Sequence, residues 1–241
     1  MSKTTECRET TLAGHPVEYE VRRSEDATEP RVDIDIRGVQ VILPEESDES
    51  PEALLSDNLN WVLETKRKYD TYRERAPDRL FEPGETFPYL GDDHEIVVEP
   101  RPAHGVGNGE IRLRQSAVDQ SSLKRVLENF YRTRAREHLT DRATAFADSM
   151  ELSYDRIELR NQRTRWGSCS TNGVLSFNWR LVMAPPDVID YVVVHELAHL
   201  RESDHNDRFW ELVEMEIPEY RELSDWLDAN SVDLIFSKDD L

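Results

Sequence analysis

Hydrophobic and polar residues alternate along residues 15–43, with Val17, Tyr19 and Val21 on one face and Val32, Ile34 and Ile36 repeating the period. A period of two marks strands with one buried face. The run Val39–Pro44 predicts a further strand. Glu45–Ser50 reads as an acidic loop, and Pro51 suits the first turn of a helix. That helix is expected to reach about Arg75, turning Leu54, Leu55, Leu59, Trp61, Val62 and Leu63 toward a core. Short strands and turns follow over residues 76–116, among them Tyr89–Gly91, Glu95–Val98 and Ile111–Leu113, with Ala103–Gly109 as a loop.

The period changes near Asp119. Leu123, Val126, Leu127, Phe130, Tyr131, Ala135, Leu139, Ala143, Phe146 and Ala147 recur at spacings of three and four, which predicts a long helix. Ile157–Gln162 reads as a strand, and Asn172-Gly173 is a hairpin turn leading into an apolar strand, Val174–Met183. Pro186 and Asp187 then open a helix, and two more are expected near Asp207–Met215 and Glu219–Ala229. No internal repeat is present. The elements predict an α+β chain, with a β-rich half and one long helix over residues 1–117 and a second half over 118–241, packed as one unit.

Hydrophobic residues make up only 37% of the chain, but their patterning shows that most of it folds. The longest apolar runs span a few residues, far short of the ~20 needed to cross a bilayer. The N-terminus has no apolar stretch of signal-peptide type, so a cytoplasmic location is expected. Cys7 lies in a polar N-terminal segment expected to fray, so no disulfide to Cys169 is expected, and no Cys-x-x-Cys pair occurs. The net charge of −20 comes from acidic residues spread along the chain. Such a surface repels nucleic acid and anionic membranes, and it reads as a solvation device suited to concentrated salt.

Candidate chemistry is concentrated in Val192–Trp210. His195-Glu196-Leu197-Ala198-His199 is an H-E-x-x-H motif. On a helix, residues four apart share a face, so both imidazoles can reach one zinc ion. Glu196 is placed to take a proton from a water that the zinc activates. Three valines before the motif suit a buried helix. A catalytic zinc usually has three protein ligands, and His205 is the best third, with Glu202 or Asp204 as acidic alternatives. Glu202 stands where metzincins carry glycine, so that subclass is not indicated. His15, His94, His104 and His138 lack metal spacing. Asp190, Asp204 and Asp207 are candidates for holding the ligand rings, though each also reads as a solvated surface residue.

Three blocks carry a resemblance: RTRWGSCS at Arg163–Ser170, LSFNWRLVMAPPDVIDYVVVHELAHL at Leu175–Leu200, and HNDRFW at His205–Trp210. In these the chain resembles the YgjP-like metallopeptidases, a zincin group related in its motif to SprT-like and WLM-type proteases. The resemblance covers most of the chain. It implies one zinc ion, His195, His199 and His205 as ligands, Glu196 as base, and a motif helix packed on a small sheet. The expected activity is peptide-bond hydrolysis, as an endopeptidase or aminopeptidase, on a peptide or protein substrate.

Trp166, Gly167, Ser168 and Cys169 are expected to form an edge strand that pairs with substrate, together with Arg165 and Asn178. Equally, Trp166 and Trp179 can be core anchors with Gly167 at a bulge. Arg165 or Arg180 can stabilise an oxyanion. Cys169 reads as a small buried residue ahead of a fourth ligand or redox sensor. Two other functions are carried forward. One is a DNA-associated SprT-like protease acting in DNA–protein crosslink repair, using Arg156, Arg160, Arg163 and Arg165. The other is a non-catalytic zinc-stabilised interaction module, which would not need a glutamate at 196.

Overall fold

The protein is described from a computed structural model covering residues 5–25, 27–35, 38–162 and 165–237. It is a mixed α+β fold with three small sheets and seven helices among the described residues. Contacts divide the chain into two compact units, which meet in the sequence at Ala76 and Pro77.

The first unit contains β1 (Thr5–Leu12), β2 (His15–Ser24), β3 (Arg31–Asp35), β4 (Gly38–Pro44), α1 (Pro51–Asp57) and α2 (Leu59–Arg75). Its sheet has the order β1-β2-β4-β3, with β2 and β4 parallel and the other pairs antiparallel. The alternating residues Val17, Tyr19, Val21, Val39, Val41 and Leu43 are buried with Leu55 and Val62. Burying each such side chain is worth roughly 1.5–3 kcal/mol. The Tyr19 hydroxyl donates to Glu52 (2.5 Å) and ties α1 to the sheet.

Three expectations change in this unit. Cys7, expected in a fraying segment, lies in β1, which pairs with β2 from Thr5 to Leu12. The single helix expected from Pro51 to Arg75 breaks at Asn58, whose side-chain amide donates to the Leu54 carbonyl (2.9 Å) at a helix end. Trp61 lies outside the core at 46% exposure. Ile36, expected beside Val32 and Ile34, lies outside the described residues.

The second unit begins with β5 (Thr86–Tyr89), β6 (Asp92–Glu99), β7 (Gly105–Gly107) and β8 (Glu110–Arg114), in the order β5-β6-β8-β7. Sequence patterning grouped these strands with the N-terminal half. Their buried residues Phe87, Ile96, Ile111 and Leu113 instead join the core of the helices that follow. Part of the expected loop Ala103–Gly109 is the strand β7, and the expected strand Tyr89–Gly91 is the end of β5 and a turn. That turn needs glycine: Gly91 has φ +85, and a Cβ there would sit 2.9 Å from Pro185 Cα.

The chain continues through α3 (Gln115–Asp119), α4 (Leu123–Ser149), β9 (Arg156–Arg160), β10 (Gly167–Cys169), β11 (Val174–Asn178), a 3-10 helix (Trp179–Met183), α5 (Pro186–Ala198), α6 (Asp207–Glu216) and α7 (Tyr220–Asn230). The predicted faces of α4 and the starts of α5 and α6 match the observed elements. The expected strand Val174–Met183 ends at Asn178, whose side-chain oxygen accepts from Arg180 N–H (3.1 Å) and starts the 3-10 turn. Among the described residues no helix is long and apolar enough to cross a membrane.

Candidate metal centre

Helix α5 supplies the motif. Val188, Ile189, Val192, Val193, Val194, Leu197 and Ala198 are all buried, so tertiary packing offsets the weak helix propensity of the valines. Arg142 on α4 grips Asp190 through two bonds (2.5 and 2.7 Å), fixing the helix one turn before the motif. Asp190 is therefore spent on Arg142 and holds no ligand ring.

His195 and His199 fall on one face, their ring centroids 5.1 Å apart. The chain leaves the helix at His199 and returns with His205, just before α6, whose N-cap Asn206 accepts from Phe209 N–H (3.0 Å). The ligand atoms of His195, His199 and His205 all lie within 4.8 Å of one another, a group able to hold a metal ion. Glu202 and Asp204 are not part of it.

Several neighbours that the sequence reading missed hold this group in place. The Glu202 carbonyl accepts from His199 Nδ1–H (3.1 Å), since a carbonyl can only accept, and this leaves Nε2 free to ligate. Asn206 donates to the Glu202 carboxylate (3.2 Å). Phe209, fully buried, packs against all three imidazoles with centroids at 4.9, 4.6 and 4.7 Å. Trp210 stacks on His205 at 5.7 Å, and Tyr220 stacks on Trp210 at 5.1 Å. The aromatic pair after His205 was a readable signal for these contacts. The backbone carbonyl of Glu202 left none.

Electrostatics favour the neutral form of His195 and His199. Burial, reinforced by the other two rings, lowers the His195 pKa to about 3, and burial also lowers that of His199. Glu196 is 5% exposed, and burial raises its carboxyl to about 8, against a pull downward from Arg165. The strand β10 lies flush over it: a Cβ on Gly167 would come within 2.5 Å of Glu196 Oε1. Burial, and then the Glu196 charge, push the Cys169 thiol up to about 11, so it is not poised as a thiolate.

A cleft of about 500 Å³ joins His195, Glu196, His199 and His205 to Arg165, Gly167, Ser168 and Cys169. Trp166 and Asn178, expected to bind substrate, do not line it. Trp166 packs on the core and donates to Ser231 (3.4 Å). Asn178, at 2% exposure, donates to the Gln162 carbonyl (2.7 Å). Arg180 is likewise buried, donating to Gln162 and Asn178, and so is not an oxyanion ligand. Of the proposed basic patch, Arg156 and Arg160 are ion-paired to Glu158, and Arg163 lies outside the described residues.

The YgjP-like, metallopeptidase domain matches residues 28–230. The chain belongs to this metallopeptidase family. The match spans both units and includes every ligand candidate. No curated protein matches the chain. Among solved structures, the metallopeptidase zymogen of Pyrococcus abyssi abylysin is similar at 22% identity, over 38% of this chain and 93% of that one, with a TM-score of 0.36.

The YgjP-like chain's donor set suits a cation. His205 Nε2 and His195 Nε2 face each other at 3.0 Å, and Glu196 Oε2 is buried with no hydrogen-bond partner. Orphaned buried polar atoms are rare in folded proteins and mark sites that take an additional group. Three imidazoles converging beside an open cleft fit a metal ion that keeps one coordination position free.

Proposed function

We propose that this chain is a zincin-type peptidase that holds one zinc ion on His195, His199 and His205 and uses Glu196 as general base. The observation that carries this reading is the placement of a buried, unpartnered carboxylate beside three converging ring nitrogens in one open cleft. A bound zinc ion supplies Lewis acidity, polarising a peptide carbonyl and lowering the pKa of a water. Glu196 accepts the proton that the water loses as its oxygen bonds to the carbonyl carbon. Glu196 then passes that proton to the departing amine nitrogen as the C–N bond breaks. Burial makes the carboxylate a stronger base than it would be in water.

Among the described residues, strand β10 pairs with β11 on one side only, so its other edge can pair with an extended substrate backbone. Gly167, without a side chain, lets that strand lie close over Glu196.

The test combines metal analysis with peptide-library profiling of wild type and Glu196→Gln. The expected outcome is one zinc per chain in both proteins, hydrolysis in the wild type, and loss of about 10²-fold or more in the variant. Chelation should abolish turnover and added zinc restore it. Substoichiometric zinc in gently purified protein removes the premise, and undiminished turnover in Glu196→Gln removes the base.

A further inference from the structure

We propose that Arg165 makes the cleft selective for peptides carrying a carboxylate within one or two residues of the bond to be cut. This rests on the hydrolytic reading above and names its substrate class.

Two independent observations support it. The first is the state of Arg165. It is exposed, it is the sole lysine or arginine among the described residues that line the cleft, and it has no ion pair or hydrogen bond with any described residue. Some exposed arginines find a carboxylate one or two positions away, as Arg8 does with Glu6, Arg31 with Asp33, and Arg156 with Asp155 and Glu158, and others such as Arg67 and Arg208 do not; what sets Arg165 apart is its place in the cleft lining. A guanidinium with all its donors available, at the mouth of a cleft, suits bidentate capture of a carboxylate.

The second observation is in the sequence. No Asp or Glu occurs from Leu159 to Pro186, 28 consecutive residues in a chain holding 50 acidic ones. The same stretch carries Arg160, Arg163, Arg165 and Arg180, and it contains β10. The part of this stretch that lines the cleft, Arg165 and residues 167–171, therefore carries no carboxylate. Serine, threonine and cysteine line it instead, at Ser168, Cys169, Ser170 and Thr171. The remaining carboxylate in the cleft lining, Glu196, is buried and committed to proton transfer in the proposed reaction.

Geometry sets the position. Gly167 lies against Glu196 and so marks the place of the scissile bond. Arg165 is two residues earlier, so its Cα lies no more than about 7 Å from that of Gly167. An extended peptide advances about 3.3 Å per residue, which brings a side chain one or two positions from the scissile bond within reach of the guanidinium. The net charge of −20 repels acidic peptides at long range, but salt screens that field beyond about 8–10 Å, leaving the local contact to decide. The carboxylate can be an Asp or Glu side chain or the peptide's own C-terminus.

Matched peptides with Glu or Gln at each flanking position, and with free or amidated C-termini, are assayed with zinc-loaded wild type, Arg165→Gln and Arg165→Glu. The wild type should favour the carboxylate form in kcat/KM by about 10-fold or more, the scale of a charge-assisted hydrogen bond. The ratio should fall to near 1 in Arg165→Gln and shift toward Lys-containing peptides in Arg165→Glu. A gain restricted to free termini identifies the terminal carboxylate, and a gain in amidated peptides identifies the side chain; either supports the proposal.

Binding of the same peptides to Glu196→Gln, followed by fluorescence anisotropy, should give the same ranking without turnover. A wild-type ratio within about 2-fold at every position overturns the assignment, since it is too small for one charged hydrogen bond. So does an equal loss on Glu and Gln peptides in Arg165→Gln, which would place Arg165 on the oxyanion. Absence of all hydrolysis by the zinc-loaded wild type would instead refute the peptidase reading, with the binding ranks still deciding Arg165.

Discussion

The closest restraint on the candidate base is a residue with no side chain. A methyl group on Gly167 would overlap Glu196 Oε1, Cγ and Cδ at 2.5, 2.6 and 2.7 Å. Glu196 is buried, with little room to move aside. Gly167→Ala should therefore keep its metal, cost about 1–3 kcal/mol of stability through overpacking, and lower turnover by about 10-fold or more as the carboxylate is displaced. Thermal melts, metal content and kcat read these three effects. Unchanged turnover would show that Glu196 does not depend on the close approach of β10. The spacing of His195, Glu196 and His199 was legible in the sequence because helical geometry alone puts residues four apart on one face. The grip of Phe209 on all three imidazoles was not, because it depends on how α6 packs against α5.

Elements position the site through a clamp of buried side chains that lie outside the cleft. Asn178 ends β11, starts the 3-10 helix and donates to the Gln162 carbonyl. Arg180 adds a second bond to the same carbonyl (2.8 Å), and Trp179 donates to Asn161 (2.8 Å). Together they anchor the segment leaving β9, which leads to Arg165 and β10. Asn178→Ala leaves the Arg180 amide without its side-chain acceptor and removes one donor to Gln162, at a cost of about 1–3 kcal/mol. Because the anchor lies outside the cleft, the variant should bind zinc normally yet lose peptide turnover. An unchanged unfolding midpoint together with full turnover would dismiss the clamp. The α4 periodicity, the Asn172-Gly173 turn and the Pro186 helix start were legible, since each follows from local backbone preference. The break at Asn58 and the 3-10 turn after Asn178 were not, because a single side-chain hydrogen bond decided each.

For the whole molecule, 50 acidic residues against 30 basic ones leave a strong self-repulsion in the folded chain. Raising sodium chloride from low concentration to about 1 M, where the Debye length is ~3 Å, should raise the unfolding temperature. Calorimetry at matched pH reads this, and a flat or falling midpoint would show that ion pairs already balance the charge. Sequence alone determined the charge, the strand and helix periods, the H-E-x-x-H spacing and the family blocks, because these depend on residues near one another in the chain. Tertiary structure decided what depends on distant residues. The strands from Thr86 to Arg114 bury their apolar face in the core of the C-terminal helices, so the units divide at Pro77. His205 joins the other two histidines because the turn after α5 folds back against α6. Trp166 and Asn178 were withdrawn from the cleft and Arg165 was left at its mouth, because burial and hydrogen-bond partners are set by the packed chain and not by residue type.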